Sequence, residues 1–255
     1  MPGTKTAKQE EHQKYTSLGV ISDMFKARAE GKELTYHEIM KSLKSFMWRS
    51  QTNLWPKVRQ EKPESRWAVS RLLISELPKA KRYAAYTTLY EVVHRHDNPQ
   101  TPKNTFILQR CLTEAHRHVP YLAASKRYKS YMEIYKSAQT LKILPDILQD
   151  AFDSVSDLAE EDRFTAYANL FDKLEVSSPL RAKTLQKAFD SIPFASAHEY
   201  GAYKWIEENA QEGSSLQEEA GAKKKAVCMV IYPLESDNHP EKMTIDDFLQ
   251  RHGPA

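Results

Sequence analysis

Histidines and cysteines are the residues of this 255-residue chain with the most chemistry to offer. His94-Arg95-His96-Asp97 and His116-Arg117-His118 each hold a His-x-His pair, and imidazoles beside a carboxylate can bind a divalent metal. The spacing argues against it. On a helix, residues two apart point to different sides, whereas ligands share a face at i and i+4. The two pairs also end consecutive helices, so an antiparallel hairpin would hold them about 15 to 20 Å apart at 1.5 Å rise per residue. Histidine near a helix C-terminus is favoured by the helix dipole alone. No metal site is expected. Cys228 and His239 could serve as nucleophile and base, but nothing around them in the sequence marks an activating environment. The two cysteines, Cys111 and Cys228, supply neither a disulfide framework nor a metal-binding spacing. Seven glycines form no phosphate-cradling loop, and there is no G-x-S-x-G, H-E-x-x-H or C-x-x-C. The expectation is a chain that is not an enzyme and uses no cofactor.

The elements that carry these residues recur. Arg82-Tyr83-x-x-Tyr86-x-x-Leu89 is followed by Arg127-Tyr128-x-x-Tyr131-x-x-Ile134 and Arg163-Phe164-x-x-Tyr167-x-x-Leu170, with a weaker copy at Glu199-Tyr200-x-x-Tyr203-x-x-Ile206. The leading residues are 45, 36 and 36 positions apart, a period typical of two-helix repeats. A second phrase supports the first: Leu148-Gln-Asp-Ala-Phe-Asp-Ser-Val155 returns as Leu185-Gln-Lys-Ala-Phe-Asp-Ser-Ile192. Pro102, Pro145 and Pro179 stand where second helices would start, a position that needs no backbone N–H. Thr101 and Ser178 are candidate N-caps, and Pro78, Pro120 and Pro193 close segments. Tyr83, Tyr86, Leu89, Tyr90 and Val93 form a stripe of helical period, which reads first as core packing.

The fold class expected is therefore all-α, with antiparallel helix pairs stacked as a short solenoid and a small C-terminal strand-plus-helix segment. Residues 1–16 read as a mobile polar tail and 17–64 as N-terminal helices with a connection. Within the latter, a helix is expected near Leu18 to Glu30, and Thr35-Tyr36-His37-Glu38 has capping-box spacing. The repeat array spans 65–210, and 211–225 reads as a linker. In 226–255, Ala226 to Tyr232 looks like a strand, and Thr244-Ile-Asp-Asp247 opens a short helix. The aromatic-x-x-Tyr-x-x-aliphatic phrase, the Ala-Phe element of the second helix and the closing proline resemble half-a-TPR repeats, and are similar to tetratricopeptide and pentatricopeptide units. That resemblance covers about residues 65 to 210, lacks the tetratricopeptide Leu-Gly step, and carries over no functional residue.

Charge is divided along the chain although the total is only +3. Residues 1–145 hold 26 Lys and Arg against 13 Asp and Glu, whereas 146–222 hold 6 against 16. Such polarity suits an acidic partner at one end, a basic one at the other, or head-to-tail self-association. The function expected is a non-catalytic protein–protein interaction scaffold or adaptor, with a host-directed effector as one form of it. Lys126, Arg127, Lys129, Trp55 and Trp67 are the candidate partner-binding residues. Single-stranded RNA binding is the alternative, drawn from Trp48, Trp55 and Trp67 among Lys and Arg. No apolar run is long enough to span a bilayer and no secretory leader follows the early lysines, so a cytoplasmic location is expected, in its own cell or a host's.

Overall fold

The computed structural model describes residues 26–51 apart from 28 and 33, together with 63–96, 102–139, 146–193 and 199–231. The chain divides into two compact units between Ala159 and Glu160. The first unit holds α1 (Tyr36–Gln51), α2 (Pro63–Ser75), α3 (Lys79–His96), α4 (Pro102–His118), α5 (Ala124–Gln139) and α6 (Ile147–Ser154). The second holds α7 (Glu160–Phe171), α8 (Pro179–Asp190), α9 (Glu199–Asn209) and α10 (Ser215–Ile231). Short 3-10 turns, Val119–Tyr121 and Val155–Asp157, follow α4 and α6. The described residues are thus all-helical.

Local chemistry fixes where these helices begin. At α1 the capping box closes in both directions: the Thr35 N–H donates to Glu38 Oε2 (2.9 Å) and the Glu38 N–H donates to Thr35 Oγ1 (3.3 Å). At α8, Ser178 Oγ accepts from the Leu180 N–H and Pro179 takes the first helical position. Gly31, at φ +68°, ends the turn that leaves Lys26, and the Lys32 N–H donates back to Ala27 O. Thr101 and Pro145 lie outside the described residues, as do 1–25, 52–62 and everything after Ile231.

Consecutive helices pack as partners: α3 on α4, α5 on α6, α7 on α8 and α9 on α10. The aromatic phrase supplies the buried stripe of each leading helix. Tyr83, Tyr86 and Leu89 are buried in α3, Tyr131 and Ile134 in α5, Tyr167 and Leu170 in α7, and Tyr203 and Ile206 in α9. Each fully buried aliphatic side chain contributes roughly 1.5–3 kcal/mol, which neither helix of a pair would gain alone.

The phrase begins eight residues upstream of its arginine. Ile74-x-x-Leu77, Val119-x-x-Leu122 and Val155-x-x-Leu158 stand at identical distances before Arg82, Arg127 and Arg163. In all three the leucine N–H donates to the carbonyl of the preceding Ile or Val, at 2.9–3.0 Å. The leucine carbonyl then accepts from the arginine: Arg82 Nε to Leu77 O at 2.8 Å and Arg127 Nε to Leu122 O at 3.2 Å. Arg82 Nη2 adds a bond to Ser75 O at 2.7 Å. A helix end leaves carbonyls without intrahelical partners, and here the next helix's first turn satisfies them.

The C-terminal strand expected over 226–232 is not found. Ala226–Ile231 continue α10, whose start at Ser215 also replaces most of the linker expected over 211–225. The reason is a second capping box. Ser214 Oγ accepts from the Gln217 N–H (3.3 Å), and Gln217 Oε1 accepts from the Gly213 N–H (2.8 Å) with Gly213 at φ +71°. α10 is then held to α9 by the Lys224–Glu207 ion pair and a Gln217 Nε2 to Glu207 O bond. Gly221 permits the approach, since a Cβ there would lie 2.9 Å from Glu207 Oε1.

Candidate functional site: a groove across three helices

The leading helices α3 and α5 meet through the anchor of the phrase. The Tyr83 hydroxyl donates to Glu133 Oε2 (3.0 Å), and burial pushes its pKa up to about 12. Beside that contact, residues of α3, α4 and α5 line a groove of about 420 Å³. Leu112 of α4 and Ile134 of α5, both buried, make an apolar floor. Thr87, Tyr90, Glu91 and His94, at helical spacing on α3, form one wall; Glu133, Lys136 and Ser137 form the other.

The groups on these walls differ in how far they are already engaged. Glu91 is paired with Arg95 at 3.1 Å, and Glu133 accepts from Tyr83. Tyr90 stacks on His94 with ring centroids 5.6 Å apart and planes 25° apart, a rigid aromatic surface beside the floor. Lys136, exposed on the rim, has no ion pair with a described residue. The groove therefore offers an apolar seat, an aromatic wall and, on the α5 side, the Lys136 ammonium beside the Glu133 carboxylate.

The residues singled out from sequence fall elsewhere. Lys126 and Lys129 are exposed on the first turns of α5. Arg127, half-buried, is used internally: besides Leu122 O it meets Asp157 Oδ2 at 3.3 Å. Trp67 is 9% exposed and packs on Tyr86, with ring centroids 5.9 Å apart, which makes it a core residue. Trp55 and His239 lie outside the described residues. His116 Nε2 sits 2.7 Å from Asp150 Oδ2, a contact between α4 and α6, with its ring edge-on to Tyr131. His118 lies between Tyr86 and Tyr121. Cys111 is fully buried, and burial alone pushes its thiol pKa up, the opposite of activation.

Tyr90, Lys136 and Leu112 were not distinguishable by motif, whereas Ile134 is the aliphatic anchor of the second aromatic phrase. The stripe reading assigned Tyr90 to the core, yet it is half-exposed; Tyr90 and His94 at i and i+4 were the available signal. No protein-family model, curated protein or solved structure matches this chain.

Proposed function

We propose that this protein is a non-catalytic interaction scaffold that binds a partner protein in the α3–α4–α5 groove, its helix pairs stacking within each unit in the manner of half-a-TPR repeats. The groove carries the reading: two successive leading helices and the helix between them line a concave surface with an apolar floor, the kind of surface on which stacked helix pairs bind partners. Stacking is supported by one contact made twice. Tyr83, following Arg82, meets Glu133, and Phe164, following Arg163, meets Trp205 edge-on at 5.9 Å. Glu133 and Trp205 hold the same place in their units, six residues after Arg127 and Glu199.

Affinity capture with the full chain tests this reading, comparing the native sequence with the paired change Tyr90→Ala and Lys136→Glu, both at positions that leave the core intact. The native chain should retain a partner after nuclease treatment, and the variant should lose it at least tenfold while keeping its helical circular dichroism. Capture abolished by ribonuclease would favour the RNA-binding alternative. Capture unaffected by the groove change but lost on Lys126→Glu and Lys129→Glu would move the site to the exposed start of α5.

A further inference from the structure

Among the described residues of the second unit, one large apolar side chain stands exposed. Val176 is 87% exposed, the most exposed large hydrophobic residue among those described. It sits in the turn between α7 and α8, next to exposed Glu175 and close to exposed Asp172. This turn is held in shape. Arg181 lies over the Phe171 ring (3.8 Å) and its Nη1 donates to Leu174 O (2.7 Å) and Phe171 O (3.2 Å); the Ser178 N–H donates to Glu175 O (2.9 Å). Leu174 is buried beneath it. A turn fixed this way loses little conformational entropy on docking.

We infer that the groove of one molecule takes the Glu175-Val176 turn of a second copy, so that the chain associates head to tail. This rests on the groove being a docking site, and it names the occupant. The two surfaces match in kind. The apolar tip meets an apolar floor, Leu112 and Ile134, and its neighbouring carboxylate faces a wall that carries the Lys136 ammonium, which has no ion pair with a described residue, as well as the Glu133 carboxylate. The surrounding charge differs in sign as well: the first unit, residues 1–159, carries 26 Lys and Arg against 17 Asp and Glu, and the second, residues 160–255, carries 11 against 17. Opposite fields steer encounter, and because donor and acceptor surfaces differ, each added copy leaves one of each open.

Sedimentation velocity of the full chain over a wide concentration range tests the inference, together with the exposed-site variants Lys136→Glu and Val176→Asp. The native chain should grow in mass with concentration, and growth should weaken from about 0.1 M to about 1 M salt, as the screening length falls from about 10 to about 3 Å. Each variant alone should dissociate at least tenfold more readily. Their equimolar mixture should form a dimer and nothing larger, since Lys136→Glu keeps an intact turn and Val176→Asp an intact groove. A native chain that stays monomeric, variants that associate as it does, or a mixture that forms no dimer would each overturn the inference. Val176→Asp should leave capture of a foreign partner unchanged, so the groove reading can stand if self-association fails.

Discussion

Arg82 shows how much of this fold rests on single polar side chains. Its guanidinium reaches two carbonyls at the end of the preceding segment, Leu77 O and Ser75 O, which a lysine ammonium cannot span in the same forked geometry. Arg82→Ala should lower stability by about 2 kcal/mol, with Arg82→Lys intermediate, read as a shift in the urea midpoint at unchanged slope. The tyrosines make the opposite kind of demand. Burial pushes the hydroxyls of Tyr83 and Tyr86 up to about 12 from an ordinary 10.0, because the apolar surroundings disfavour the phenolate. A raised folded-state pKa means that stability is intact below pH 10 and is lost as pH climbs toward 12, while the unfolded chain ionises first. Alkaline unfolding in that window, followed by phenolate absorbance and circular dichroism together, should be shallower in Tyr86→Phe. The arginines were legible in the sequence as a recurring letter, but their role was not, since it depends on which carbonyls the preceding turn leaves open.

Helix beginnings were the most readable elements, because capping is written in a few neighbouring residues. Thr35-x-x-Glu38 closes as its spacing predicts, and Ser178-Pro179 opens α8. Glu38 also pairs with Lys32 at 2.8 Å, and these hydrogen bonds hold its carboxyl down to about 2 from the usual 4.5. A depressed pKa gives support that is complete above pH 4.5 and fades as pH falls through about 2. The Thr35 amide resonance should report a titration midpoint in that acid range, and Glu38→Gln should abolish it. The C-terminal run was misread for a physical reason. Ala-Val-Cys-Met-Val-Ile has no polar positions, so periodicity cannot tell a strand from a buried helix. The deciding features lay upstream, in Ser214-x-x-Gln217, and across the hairpin, where Glu207 meets Lys224 and Gly221.

At the scale of the molecule, the repeat and the charge polarity are properties of the sequence, and both can be read from it before any coordinate is known. The groove is not such a property. Tyr90, Leu112 and Lys136 come from three helices and converge only after α3 and α5 pack on α4. No spacing rule joins them, and two of the five partner-binding candidates, Trp67 and Arg127, are consumed by packing and by the joint between α4 and α5. The repeated aromatic phrase thus supplies the buried stripe of each leading helix, and in the proposed scaffold recognition would fall to the half-exposed residues between its anchors.

Site-specific photocrosslinking is the most direct test of that division. A benzophenone side chain placed at Tyr90 of the full chain, beside the groove floor, should form protein adducts under irradiation that survive nuclease treatment and exceed those from the same probe at Lys126. Adducts concentrated at Lys126, or none at Tyr90 that resist nuclease, would contradict the assignment of the groove as the binding surface.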